Sequence, residues 1–409
     1  MKSEWKKCTI GDCLQIVKTS VIPKAGTTYS CFSLPAFDNS KTPEILDGKD
    51  IKSSKFALTE NTILFNKLNP KFRRIWNIHS LAQIRNPISS TEFLPLKVNG
   101  DVCQDFLYYY ICSPNFTALM DGIKTGTSSS QQRIDWRLFL RQPIYLPPLP
   151  IQRSISRILK DLDTKIQLNQ QINDNLRLQI KEICTAWLTN FQPFGGQMPS
   201  DWIETPLSEI AEFISGYSYK GNELATSTVA MATIKNFDRN GGFKVEGYKE
   251  IIPSAKLKGS QHAALFDTLV AHTDLTQNAE VIGNAELVMS KAKYEDIVFS
   301  MDLVKVLPKN CGISKFLIAA ILQDKRFKAH CLGYVNGTTV LHLSKKALPE
   351  YKLYLPSNMD ELKPFDNIVT VLYKEIASNI SEITQLELLR DSLLPKLMSG
   401  EIDVSAVQL

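Results

Sequence analysis

The chain repeats itself, and that duplication restricts its fold more than any other feature of the sequence. Trp5 is followed by Ile10, Gly11, Asp12 and Cys13, and Trp202 by Leu207, Ser208, Glu209 and Ile210 at the same spacing. Thr62-Ile63-Leu64-Phe65-Asn66-Lys67-Leu68-Asn69 has a counterpart in Thr268-Leu269-Val270-Ala271-His272-Thr273-Asp274. Each is an apolar strand that ends in polar residues. The apolar helix Asp105 to Cys112 matches Lys315 to Leu322, and Lys124-Thr125-Gly126-Thr127 matches Val335-Asn336-Gly337-Thr338. Ile144-Tyr145-Leu146-Pro147 matches Leu353-Tyr354-Leu355-Pro356. The offset drifts from about 197 to about 210, because loops tolerate length changes that strands and helices do not.

Each copy is followed by a helical tail. After Pro147-Pro148-Leu149-Pro150 no Pro or Gly occurs until after Phe191, and proline in a first turn is a start signal. Ile155, Ile158, Leu159, Leu162, Ile166, Ile172, Leu176, Ile180, Ile183 and Trp187 fall at spacings that make one apolar stripe. Gln192-Pro193-Phe194-Gly195-Gly196 ends the helix and reads as a linker. The second tail starts near Pro364, with a stripe from Ile368 to Leu393; Pro395 is expected to kink or end it, and Gly400 to stop it.

Neither helix buries its stripe alone, so the two are expected to pack on each other as an antiparallel coiled coil. The fold class is therefore α+β. Two mixed α/β domains, related by a pseudo-two-fold axis, are separated by two long helices. The expected organisation is a first domain over 1–147, a first spacer helix over 148–192, a linker and second domain over 193–356, and a second spacer helix and tail over 357–409. Asn169 and Asn379 lie in the seam near the middle of their helices. Either they meet and set the register, or each faces solvent at an imperfect position.

Composition narrows the function. With 44% hydrophobic and 22% charged residues the chain is globular, and no apolar run is long enough to span a membrane. The start, MKSEWKKCTI, is too polar for a secretory signal. A cytoplasmic protein is expected. The eight cysteines form no Cys-x-x-Cys pair, so they read as reduced, buried thiols and not as a disulfide framework or zinc site. A net charge of +5 permits a polyanionic partner without demanding one.

At this point the sequence resembles the specificity subunit of type I restriction-modification systems, over nearly its whole length. Leu146-Pro147-Pro148-Leu149-Pro150-Ile151-Gln152 is similar to that family's Leu-Pro-Pro-Leu-x-x-Gln start of the spacer helix. The stretch from Leu389 to Ile402 looks like its usual ending. Leu269 to Thr276 and the loop Asn336-Gly337-Thr338-Thr339 are similar to segments of its recognition domains. Two departures stand out: the second tail opens Leu355-Pro356-Ser357-Asn358, without Pro-Pro and Gln, and its domain's loop is shorter than Thr125 to Arg133.

The resemblance implies a prokaryotic DNA-binding subunit with no catalytic centre. Each domain would read one half of a split, asymmetric double-stranded site, and the helices would act as a ruler. Two modification subunits and then restriction subunits would dock on the chain. S-adenosylmethionine, ATP and Mg would sit on those partners.

Base reading needs donors and acceptors, and duplex binding needs cations. In the first domain the candidates are Lys67, Asn69, Lys71, Arg73 and Arg74, then Lys124, Thr125, Ser128, Ser129, Ser130, Gln131, Gln132 and Arg133 on a glycine-containing loop. In the second they are Lys220, Asn222, Lys235, Asn236, Arg239, His272, Thr273, Gln277 and Asn278.

Other motifs are set aside. Asn69-Pro70-Lys71-Phe72 is only faintly like the Asn-Pro-Pro-Phe of adenine methyltransferases, and no glycine-rich cofactor loop precedes it. Asp161-Leu162-Asp163-Thr164-Lys165 lies on a spacer helix, where a charged face is the plainer reading. His330 and Cys331 are adjacent in a helix and point apart, which disfavours a shared metal. Two rivals remain: a catalytic methyltransferase or nuclease, and a coiled-coil scaffold whose end domains bind protein.

Overall fold

The computed structural model describes residues 5–39, 41–68, 73–125, 133–239, 241–254, 256–276, 278–309 and 312–405. The chain divides into two compact units, Met1–Thr164 with Leu386–Leu409, and Lys165–Gln385. Both divisions fall inside the long helices, Leu149–Leu188 and Lys363–Ser399. Each unit therefore holds one mixed α/β domain and a stretch of both helices.

In the first unit, Lys6–Thr9 pairs antiparallel with Pro143–Leu146, joining the two ends of the domain. An antiparallel sheet runs in the order Leu14–Ile16, Phe93–Val98, Thr62–Asn66, Ile75–Ile78. Thr62–Asn66 is buried along its whole length, which is why it reads as a continuous apolar run and not as an alternation. A second sheet contains Thr28–Phe32 parallel to Pro87–Ser89. Helix Pro114–Gly122 follows Ser113, which caps it by accepting the Phe116 N–H, with proline at the first helical position.

The second unit repeats this pairing. Trp202–Pro206 pairs with Lys352–Pro356. The equivalent sheet runs Ala211–Ser215, Leu303–Pro308, Thr268–Ala271, Ala285–Leu287. Val229–Ala232 lies parallel to Asp296–Phe299, and helix Lys315–Leu322 is capped by Ser314. The sequence duplication is thus a duplication of strand partners.

The long helices have 40 and 37 residues, about 60 and 55 Å at 1.5 Å per residue. Within the second unit they run antiparallel: Asn169 meets Glu382, Asn173 meets Asn379, and Trp187 stacks on Phe365. Within the first unit Arg390 donates to Asp163 at 2.9 Å, and Asp163 also accepts from Tyr109 at 2.7 Å. One carboxylate so joins the domain to both helices.

Two expectations need correction. Asn169 and Asn379 do not meet. Asn379 Nδ2 donates to Asn173 Oδ1 at 2.9 Å, and Asn169 Nδ2 donates to Glu382 Oε2 at 2.8 Å. The register is offset by one helical turn, and all three asparagines are buried. Pro395 does not end the second helix, which continues to Ser399. Leu394, Leu397 and Met398 are buried in the first unit's core, and this packing outweighs the hydrogen bond that proline removes. The stop is Gly400, at φ +70°, with the Trp5 ring packed against it. The linker at Gln192–Phe194 is packed: Phe191 and Phe194 pack edge-on against Trp202, and Phe194 also against Trp187.

The start of each long helix is tied to its domain. Gln152 is buried; its Oε1 accepts the Cys103 N–H at 2.8 Å and its Nε2 donates to the Pro147 carbonyl at 2.9 Å. In the second unit Asp366 accepts the Ser314 N–H at 2.9 Å. Cys103 and Ser314 are the N-caps of equivalent helices. The glutamine missing from the second tail is thus replaced in role by an aspartate at the same helical position.

Candidate nucleic-acid interface

In the first unit the buried strand Thr62–Asn66 delivers the chain to the surface. Asn66 turns it there: its Nδ2 donates to the Leu68 carbonyl at 2.5 Å and its Oδ1 accepts the Leu68 N–H at 2.9 Å. The next residues meet the base of the candidate loop. Ile134 N donates to the Lys67 carbonyl at 3.0 Å, Leu68 bridges Arg133, and Thr125 pairs with Arg133. The two candidate segments of the first domain, far apart in sequence, are therefore neighbours.

Their side chains form a cationic surface. Arg133 pairs with Glu92 at 3.0 Å. Burial lowers the pKa of the Lys67 ammonium, Glu92 raises it, and Arg133 and Lys18 push it down again. Lys18 lies 5.2 Å from the ring centre of Trp136, and Arg137 lies 5.5 Å from it. Trp136 is 40% exposed. Lys18, Trp136 and Arg137 escaped the sequence reading because nothing in their local pattern marks them. Arg73 is exposed, and Arg74 pairs with Asp38 at 2.6 Å. Asn69, Lys71, Ser128, Ser129, Ser130, Gln131 and Gln132 lie outside the described residues, as do the side chains of Lys124 and Thr125.

The second unit has a three-stranded sheet at the equivalent place, in the order Thr273–Asp274, Leu341–Leu343, Val335–Asn336. Asp274 shapes the adjoining loop. Burial works against its charge, but the N–H groups of Thr276, Val281 and Ile282 hold the carboxyl below its ordinary pKa. His272 is half-buried, and burial lowers its pKa, with His342 and Lys345 acting in the same direction. His342 and Lys345 are exposed. Arg239 is exposed and pairs with Glu280 of the same loop at 2.9 Å.

Two candidates of the second domain must be withdrawn. Asn236 is 0% exposed; its Oδ1 accepts the Thr233 N–H and its Nδ2 donates to the Lys244 carbonyl, so its amide closes a turn. Thr273 is buried, and its hydroxyl donates to Asp302. A buried, satisfied polar group has nothing to offer a base edge. Lys235 and Asn278 are exposed, and Lys220 and Asn222 sit on the separate turn around Gly221–Glu223. Gln277 lies outside the described residues.

The motifs set aside have structural partners. Asp163 is occupied by Tyr109 and Arg390, Lys165 faces Glu382 at 3.4 Å, and His330 hydrogen-bonds the Ala347 carbonyl at 2.8 Å. Among the described residues no group of His, Cys, Asp and Glu side chains is placed to hold a metal ion. Among the described residues no helix is long and apolar enough to cross a membrane.

Known proteins share this sequence pattern. Residues 2–178 match the type I restriction modification DNA specificity domain. The chain is 23% identical to the type I restriction enzyme MjaVIII specificity subunit of Methanocaldococcus jannaschii, over 98% of this chain and 93% of that one. It is 22% identical to the HindI specificity subunit of Haemophilus influenzae, over 98% of this chain and 100% of that one. Over nearly its whole length the chain is similar to type I restriction enzyme specificity subunits. Both relatives are named as specificity subunits. The fold agrees: the S subunit of such a system from M. genitalium superposes with a TM-score of 0.52 at 16% identity, covering 96% of both chains.

Proposed function

We propose that this chain is a specificity subunit that reads a bipartite, asymmetric DNA site, one half with each domain, while the two long helices set the gap. The observation that supports this is one framework carrying two different surfaces. At equivalent places beside the equivalent sheets, the first unit presents Lys67, Arg133, Lys18, Arg137 and Trp136, and the second presents His272, His342, Lys345 and Arg239. Shared topology favours a shared mode of docking. Different side chains favour different half-sites, because base-edge contacts carry sequence information and phosphate contacts carry register.

Two modification subunits, and then restriction subunits, dock on the same chain in this reading. Leu168, Leu178, Ile368 and Val371 leave apolar side chains exposed on the long helices, and uncovered apolar surface of this kind suits a partner. S-adenosylmethionine, ATP and Mg belong to those partners.

The test is to map methylated positions in DNA exposed to the reconstituted modification complex, with the natural subunit and with residues 1–147 exchanged for another family member's domain. One altered half-site with the other retained is expected. Alteration of both halves, or an unsplit site, refutes the reading.

A further inference from the structure

The second unit contains a buried carboxylate that the recognition surface does not use directly. Glu286 lies on the edge strand Ala285–Leu287 and is 6% exposed. Its Oε1 accepts the Gly242 N–H at 2.7 Å, and its Oε2 accepts from Gln323 Nε2 at 3.3 Å. Gln323 Nε2 also donates to the Ala285 carbonyl at 3.0 Å, and Gln323 Oε1 accepts the Tyr373 hydroxyl at 2.8 Å. Tyr373 is a fully buried residue of the second long helix. A continuous hydrogen-bonded path thus runs from that helix through Gln323 and Glu286 to Gly242.

Gly242 closes a tight turn. Asp238 N donates to the Gly242 carbonyl at 3.0 Å and Gly241 N donates to the Asp238 carbonyl at 3.1 Å. Gly241 and Gly242 have φ of +94° and +116°, which other residues rarely adopt. A Cβ on Gly242 would stand 3.3 Å from the Arg177 guanidinium of the first long helix. The turn therefore lies against that helix, and it carries Arg239 beside the loop of the candidate interface.

We propose that Glu286 is a positioning residue for DNA recognition by the second domain, holding the Asp238–Gly242 turn, and with it Arg239, against both long helices. This rests on the split-site reading above. The groups that face the carboxylate are Arg177 and Lys181 from the first long helix, Asp238 and the Gly242 N–H from the turn, and Gln323, which leads to Tyr373. Burial pushes the Glu286 pKa up to about 7, against the pull of the Gly242 N–H, Arg177 and Lys181, while Asp238 pushes with it. An ionised carboxylate accepts the Gly242 N–H more strongly than a neutral one. Burial outweighs that gain, so the turn is held more firmly while the carboxyl keeps its proton and loosens as it ionises through about 7.

The experiment uses the reconstituted modification complex and duplexes altered in one half-site at a time, from pH 6 to 8.5. Glu286→Ala is expected to weaken binding about tenfold, equivalent to about 1.4 kcal/mol, and to reduce discrimination only at the half-site read by the second domain. Glu286→Gln keeps an acceptor and is expected to bind while losing the part of the wild-type pH profile centred near 7. Wild-type selectivity in the alanine variant, or an unchanged pH profile in the glutamine variant, overturns the proposal while the split-site reading stands. A wild-type complex that shows no split site overturns both.

Discussion

The Asp366 carboxylate accepts the Ser314 N–H at 2.9 Å, as the Gln152 carboxamide accepts the Cys103 N–H at 2.8 Å. Two different side chains thus fasten equivalent helix starts to equivalent domain helices. Gln152→Ala leaves the Cys103 N–H and the Pro147 carbonyl without their partner in a buried setting. A loss of about 2–4 kcal/mol is expected, read by denaturant unfolding of the first unit. Asp366→Asn retains an acceptor and is expected to cost less than Asp366→Ala. Equal costs would show that the contact does not anchor the helix.

The asparagine seam gives a double-substitution test. Asn379→Leu alone strands the buried Asn173 amide and is expected to destabilise by about 1–3 kcal/mol. Adding Asn173→Leu is expected to return stability to the wild-type value or above it, because an apolar seam needs no polar partners. The same double variant is expected to broaden the gap between methylated positions. A single unchanged gap would place the register elsewhere, with Asn169–Glu382 and Asp163–Arg390 among the other cross-helix contacts.

The cationic surface of the first unit predicts a salt effect. Lys18→Ala and Arg137→Ala should each lower the salt-dependence slope of binding by about 1 if the residue meets a phosphate, with little change in sequence preference. Trp136→Ala is expected to weaken binding with no change in that slope, since an indole releases no counterion. Affinity equal to wild type in all three variants would remove this surface from the interface.

Two groups of the second unit give opposite pH dependences of stability. The folded state raises Glu286 from 4.5 to about 7, so it holds the proton where the unfolded chain has lost it. Its contribution to stability falls as pH rises through that window and is constant above it. The folded state lowers His272 from 6.5, so the unfolded chain binds the proton first as pH falls. That contribution is complete above 6.5 and is lost below it. Denaturation midpoints between pH 5 and 8 should therefore lose one slope in Glu286→Gln and the opposite slope in His272→Gln. An unaltered profile in either variant contradicts the corresponding assignment.

The recognition surface was only partly legible. Lys67 and Arg133 could be selected because each stands beside a strand signal or a glycine-containing loop, and the structure makes them neighbours. Asn236 looked the same in sequence as an exposed reader, yet its amide closes a turn. The difference lies in Lys244, eight residues on, and no local pattern reports where that carbonyl ends up. Lys18, Trp136 and Arg137 form their cluster across more than a hundred residues.

By itself the sequence determined the duplication, the order of strands and helices, and the two long apolar stripes, because periodic burial and start and stop signals are written in neighbouring residues. Only the tertiary structure decided that Asn379 faces Asn173, that the second helix passes Pro395, and that Asp366 takes the part of Gln152. Each of those depends on a partner far away in the chain. Register, burial and anchoring are properties of pairs, and a pair exists only once packing has brought its members together.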